Sequence, residues 1–202
     1  LGKDGKVLLA KGTQLTESYL KRIQDFEFTH LYVYDPALEG DAELAGPISE
    51  ITSTQAVMIV RDTLEKTPVC NSLDVKQINL VADLILDDIL NDRDVVFNIM
   101  DLKSHDTYTY YHSVNVCVIS VIMGKNLGLP RMRLKELAIG ALLHDLGKAY
   151  IDPKILEKKT LLTEEEFSEI QEHAKLGFER LRYSTGLSIL SAHIAYQHHE
   201  RE

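Results

Sequence analysis

Ala141-Leu-Leu-His-Asp-Leu-Gly-Lys148 sets an imidazole and a carboxylate side by side, at His144 and Asp145, directly after an apolar run. The run Ala141, Leu142, Leu143 predicts the end of a buried helix. Adjacent His and Asp offer one nitrogen and two oxygen donors at a single point of the chain. A carboxylate can bridge two metal ions through its two oxygens, and a pair of close ions is suited to hydrolysing phosphate esters. Lys148 follows His144 by four residues, so on a continuing helical turn both fall on one face. Its ammonium could meet a phosphate oxygen there. Gly147 leaves room for close approach of backbone or ligand. The plainer alternative is a buried, hydrogen-bonded histidine near a helix end, with a surface Asp and Lys.

The other histidines favour the metal reading. Of eight, seven fall in the last hundred residues. His112 lies in Tyr108-Thr-Tyr-Tyr-His-Ser-Val-Asn-Val116, which opens an apolar helix predicted to run to about Asn126. His173 sits in Gln171-Glu-His-Ala-Lys-Leu-Gly177, inside a helix predicted to start near Thr163, and His198 and His199 stand together in Tyr196-Gln-His-His-Glu200. The order is His, His-Asp, His, His-His, each on a separate predicted helix. Imidazole and carboxylate donors suit manganese, iron, nickel or zinc better than calcium.

From about residue 100 to 202 the sequence resembles the HD-GYP subgroup of HD-domain metal-dependent phosphohydrolases, bacterial enzymes that cleave cyclic di-GMP. The resemblance rests on Ser104-His-Asp-Thr-Tyr-Thr-Tyr-Tyr-His-Ser-Val-Asn-Val116, the His-Asp-Leu-Gly-Lys segment, Asp152-Pro-Lys-Ile-Leu156 with Leu162-Thr-Glu-Glu-Glu166, His173 with Gly177, and Gln197-His-His-Glu200. It implies that His112, His144, Asp145, His173, His198 and His199 are metal ligands, with Asp145 bridging two divalent ions. Iron or manganese is the first expectation, with zinc or nickel as alternatives. It further implies that Lys148 contacts the scissile phosphate and that Asp106 is a partner of Lys148; Asp106 also reads as the N-cap of the His112 helix. The implied activity is hydrolysis of cyclic di-GMP to the linear dinucleotide and onward to GMP, by water activated between the metals.

Two positions depart from the family. Some members bind a third metal through a Glu four residues before the first His, where this chain has Tyr108; two metals are therefore expected. The Gly-Tyr-Pro motif, and a later Asp ligand, would follow the His-His-Glu segment, and neither is in this sequence. With Leu1 rather than Met at the start, that leads to the expectation of a trimmed chain. Two alternatives stay open: an HD phosphohydrolase for another nucleotide, and a non-catalytic scaffold that binds a nucleotide or a protein.

Composition agrees with a globular protein. The net charge of −9 argues against general affinity for duplex nucleic acid, so an anionic nucleotide must be drawn in locally by metals and Lys148. Cys70 and Cys117 suggest no disulfide framework, and Cys117, in Val116-Cys-Val-Ile119, reads as a buried thiol. No signal peptide and no span of 18 apolar residues is found. These features lead to the expectation of a cytoplasmic protein.

The fold class expected is mainly α: an HD-domain helical bundle over residues 48–202, preceded at 1–47 by a small N-terminal α/β unit and linker. In that unit Lys6-Val-Leu-Leu-Ala10 reads as a strand, Thr16 to Phe26 as a helix capped by Thr16, and Thr29 to Tyr34 as a second strand. A regulatory or dimer-forming role is one reading of it, and a passive cap is another. Ser49 or Thr52 is expected to cap a helix ending near Thr67 and Pro68. Asp74 is expected to cap the next, with Val75, Ile78, Val81, Ile85 and Ile89 on its apolar side. The acidic run Asp83, Asp87, Asp88 reads as a solvated face, and Asp94 to Leu102 stays ambiguous. Gly128 with Pro130, and Gly186, separate the later helices. His193 reads as packing or surface, His105 as a helix-entry residue, and His30 as remote from the cluster. Tyr108, Tyr110 and Tyr111 could line a surface for a base.

Overall fold

Polar side chains start the first helices, as the sequence leads one to expect. Thr16 Oγ1 accepts from the Tyr19 amide at 3.4 Å, Ser49 Oγ from the Thr52 amide at 3.1 Å, and Asp74 Oδ1 from the Gln77 amide at 3.2 Å. Each satisfies a donor that has no partner inside its helix. The helices they open are α1 (Glu17–Asp25), α2 (Glu50–Cys70) and α3 (Val75–Asn91). The computed structural model describes residues 13–25, 46–70, 73–91 and 108–201, together with residue 9. The two expected N-terminal strands, and the 94–102 segment, lie outside the described residues or nearly so. Of the proposed strand–helix–strand unit only the helix is seen, and among the described residues there is no strand.

The second group of helices is α4 (Tyr108–Asn126), α5 (Arg131–Leu143), a 3₁₀ turn (Leu146–Tyr150), and the short α6 (Pro153–Leu156). It continues with α7 (Glu164–Gln171), α8 (His173–Arg182) and α9 (Ile189–Gln197). Gly128 and Gly186 join successive helices with φ of +75° and +92°, a left-handed backbone that a Cβ disfavours. Thr163 and Glu166 form a reciprocal capping box at the start of α7.

Three differences from expectation have local causes. α2 continues through Pro68 to Cys70; so near the helix end the proline removes only one terminal hydrogen bond. The helix expected from Thr163 through His173 is two, α7 and α8, because the His173 ring engages the Ile170 carbonyl at 2.5 Å and competes with the α-helical bond to it. The acidic run on α3 is exposed but not merely solvated. Asp83 pairs with Lys135 and Asp87 with Arg131, both at 2.7 Å, and Asp88 accepts from the Ser49 amide at 2.8 Å. These exposed contacts contribute about 0–1 kcal/mol each, and they set where α3 lies against α5 and the start of α2.

The core lies among α2, α3, α4 and α5. Ile78, Val81, Ile85 and Ile89 of α3 are fully buried, and Leu134, Leu142 and Leu143 of α5 nearly or wholly so. Cys117 on α4 is buried as expected, and burial pushes its thiol well above the ordinary range. α5 packs on α4 on one side and on α9 on another, while α8 packs on α9 and on the 3₁₀ turn. No helix among the described residues is long and apolar enough to cross a membrane. Replacing fully buried Leu142 by Ala should lower stability by about 2–5 kcal/mol in urea denaturation. Met132→Ala, at a side chain 67% exposed, should stay within about 0.5 kcal/mol of the parent.

Candidate metal centre

Three helices end at one place, each with a histidine at or just after its C-cap. His144 is the C-cap of α5 and His198 that of α9, and His173 follows the last residues of α7. The final carbonyls of a helix lack intrahelical donors. Here Nδ1 of His144 lies 2.7 Å from the Ala141 carbonyl, Nδ1 of His173 2.5 Å from Ile170, and Nδ1 of His198 2.9 Å from Ala195. A carbonyl oxygen only accepts, so each Nδ1 carries the proton and donates it. The tautomer is thereby set, and each Nε2 is left to turn inward as a lone-pair donor. The negative ends of α5 and α9 also point to the site and favour a cation.

The Nε2 atoms surround Asp145. Its Oδ2 lies 3.3 Å from Nε2 of His144, and its Oδ1 lies 3.5 Å from Nε2 of His173 and 3.6 Å from that of His198. Lys148 Nζ donates to Oδ2 at 2.7 Å. His144, Asp145 and His173 are buried, His112 and His198 half-buried, and His199 exposed. Two trios have donor atoms within 4.8 Å of one another: His112, His144 and Asp145, and His173, His198 and His199. The structure thus brings together every histidine named as a ligand candidate. His193 stands apart, its ring 5.1 Å from Phe178, in agreement with a packing role.

This donor set fits a cation on its own chemistry. Nε2 of His173 is 3.1 Å from Nε2 of His198 and 3.2 Å from Nε2 of His199. With Nδ1 of His173 and His198 donating to carbonyls, two Nε2 lone pairs face each other across 3.1 Å. Only a proton or a metal ion between them removes that repulsion. Protonation is opposed: burial lowers the pKa of His173 against the raising effects of the Ile170 carbonyl and Asp145, and burial is also the largest cause of the lowered pKa of His112 and His199. At Asp145 burial is the strongest influence and works against the charge. The surrounding groups, among them the Lys148 ammonium that donates to it, outweigh burial, so the carboxyl is held far below its usual range. Neutral imidazoles around an ionised carboxylate are the form a divalent metal requires.

Lys148 reaches this place by a route the helical spacing did not predict. The α-helix stops at Leu143 and the chain continues as the 3₁₀ turn Leu146–Tyr150. Lys148 therefore meets Asp145 at i+3 instead of stacking on His144 at i+4. Gly147 has the predicted closeness to backbone. A Cβ there would stand 1.8 Å from the His173 carbonyl oxygen and 2.8 Å from the Gly177 amide nitrogen. Absence of a side chain at Gly147 thus lets the turn bearing Asp145 and Lys148 lie on the helix bearing His173.

A cleft of about 370 Å³ opens over the cluster. His112, His144, Asp145, Lys148, His198 and His199 line one end of it. Val116, Ser120, Ala141 and Ile194 line the rest. Sequence reasoning did not single out these four, because spacing alone cannot tell a cleft wall from core. Tyr110 and Tyr111 do not line it. Tyr110 donates to Glu65 of α2 at 3.2 Å, and burial with the Glu65 charge raises its pKa. The side chain of Tyr108, and all of His30, His105 and Asp106, lie outside the described residues. The expected Lys148–Asp106 pairing therefore falls outside the described residues, and Lys148 donates to Asp145.

Residues 109–202 match the HD domain family, and the described part of that stretch is helical. The chain's curated relatives are cyclic dinucleotide phosphodiesterases. A cyclic di-GMP phosphodiesterase of Pseudomonas aeruginosa is 29% identical over 165 residues, 82% of this chain and 39% of the relative. One from Thermotoga maritima is 32% identical over 114 residues, 54% of this chain and 31% of the relative. The 3'3'-cGAMP-specific phosphodiesterase 1 of Vibrio cholerae is 35% identical over 104 residues, 52% of this chain and 23% of the relative. The chain thus spans less than half the length of these curated relatives. No solved structure matches it significantly.

Two outcomes are expected. Gly147→Ala should cost roughly 1–3 kcal/mol, as other overpacking changes do, and should weaken divalent-metal binding in titration. Gly128→Ala, remote in sequence from the cluster and at φ +75°, should lower stability without that loss. The second concerns pH. His112, His173 and His199 have folded pKa values below the ordinary value of about 6.5, so the unfolded chain takes up their protons first. Stability should then fall as pH drops below about 6.5. Asp145, depressed as well, adds stability above about 3.9 that is lost on further acidification. Both act in one direction. Urea midpoints of chelator-treated protein between pH 7 and pH 5 should fall steadily, and a flat or rising series would contradict this.

Proposed function

We propose that the protein is a metal-dependent phosphodiesterase that opens a cyclic dinucleotide, cyclic di-GMP first, to the linear form and onward to GMP. The observation that carries this reading is the pair of donor trios either side of Asp145. His112, His144 and Asp145 would hold one divalent ion, and His173, His198 and His199 with the other Asp145 oxygen a second. Iron or manganese is preferred, and zinc or nickel would be tolerated by the same donors. When bound, such ions activate water and stabilise charge on a phosphoryl group.

The chain's own residues have separate tasks in this scheme. The helix-end carbonyls hold His144, His173 and His198 with Nε2 toward the centre, so these three rings need not rotate before binding. Asp145 presents one oxygen to each trio. Lys148 keeps a positive charge at the cleft edge, where it can donate to a phosphoryl oxygen while bonded to Asp145. Asp106 is our proposal for a further carboxylate partner of Lys148. No side-chain nucleophile is needed, since water attacks in line with the leaving ribose oxygen. We further read residues 1–47 as a unit separate from the helical domain, with regulatory or dimer contacts as its role, and the cytoplasm as the location.

A second substrate is favoured by a specific finding. Over about half of the chain the identity to a 3'3'-cGAMP-specific enzyme, 35%, is close to the 32% to a cyclic di-GMP enzyme, so both cyclic dinucleotides belong in the assay. Wild-type protein loaded with manganese or iron should yield linear dinucleotide by chromatography. Asp145→Asn should reduce turnover by at least a hundredfold and release metal. If metal-loaded protein leaves both cyclic dinucleotides intact, the proposal fails.

A further inference from the structure

The cleft extends beyond the metal-binding end in an ordered way. Val116 lies four residues after His112 on α4, Ala141 three before His144 on α5, and Ile194 four before His198 on α9. Each is about one helical turn from a histidine on its own helix. Together they form an apolar layer next to the histidine layer. Gly140 helps set it: a Cβ there would lie 2.4 Å from Ile194 Cδ1 and 3.0 Å from the Ser191 carbonyl oxygen. Beyond the layer stands Ser120, eight residues after His112, or about 12 Å along the helix.

Ser120 is a polar group placed for a ligand. Helical serines commonly bond back to the i−4 carbonyl, and Ser113 on the same helix does so, donating to Thr109 at 3.2 Å. The Ser120 hydroxyl has no hydrogen-bond partner among the described residues, and it lines the cleft. Apolar walls with one convergent polar group are the usual make-up of a small-molecule subsite. A hydroxyl that can both donate and accept suits the edge of a heterocycle.

We propose that the slot formed by Val116, Ala141 and Ile194, ending at Ser120, binds a nucleobase of the substrate while its phosphate lies at the histidine end. The inference rests on the phosphodiesterase reading for the placement of the phosphate. It makes Ser120 a binding determinant that touches the base and takes no part in bond cleavage.

Equilibrium binding tests it apart from catalysis. Isothermal titration of the manganese-loaded chain with GMP and with ribose 5-phosphate compares a ligand with and without a base. GMP should bind at least tenfold more tightly. Ser120→Ala, a small change that should not disturb folding, should cut the GMP-to-ribose 5-phosphate affinity ratio about three- to tenfold, as loss of one hydrogen bond does. Val116→Phe, which fills the slot, should cut it more than tenfold. Equal binding of the two ligands by wild type, or ratios within twofold of wild type in both variants, would overturn the subsite. Absence of cyclic dinucleotide hydrolysis would instead count against the function above, and these titrations would still decide the slot.

Discussion

The donation of an imidazole Nδ1–H to a helix-end carbonyl, made three times, is the interaction on which the site depends. His144, His173 and His198 each bond the carbonyl three residues earlier. One contact does two things at once. It satisfies an acceptor that the end of a helix leaves open, and it turns Nε2 toward the centre. A candidate metal ligand and the partner of a helix-end carbonyl are therefore the same residue. The local helix geometry explains why these three histidines stand beside helix ends: there a carbonyl is available to hold the ring.

Close approach of the elements is the second constraint. The turn bearing Asp145 must lie against α8 for Asp145 Oδ1 to come within 3.5 Å of His173 Nε2. Gly147 over the His173 carbonyl and Gly140 beneath Ile194 leave no space for a side chain. Behind them the fully buried leucines of α5 anchor the helix that ends in His144. The acidic residues of α3 pair with Arg131 and Lys135 at its start. Core packing, helix termination and donor geometry thus bear on one short segment, residues 140–148.

Much of this could be read along the chain. Ala141-Leu-Leu before the doublet marks a buried helix end, and α5 does stop at Leu143. Thr16, Ser49 and Asp74 announce helix starts because a short polar side chain followed by apolar periodicity has few other uses. The ligand candidates were recognisable by residue type and order. The division of the 163–182 stretch into two helices was not, because amphipathic spacing passes through His173 unchanged and only its side-chain bond shows the break. The face of Lys148 was misjudged for a similar reason: a 3₁₀ turn shifts the partner from i+4 to i+3, and periodicity does not distinguish the two. The cleft wall of Val116, Ser120, Ala141 and Ile194 resembled core, since apolar residues one turn from a histidine look alike whether they face protein or solvent.

By itself the sequence determined the mainly helical class, the helix starts and the inventory of donors, since each follows from residue type and short-range spacing. Tertiary structure alone decided which donors lie together, which oxygen of Asp145 faces which trio, and where the cleft runs. Those depend on residues far apart in sequence, such as His173 and His198, whose Nε2 atoms meet at 3.1 Å. No local pattern carries a distance across 25 residues; only the packing of α5, α8 and α9 does.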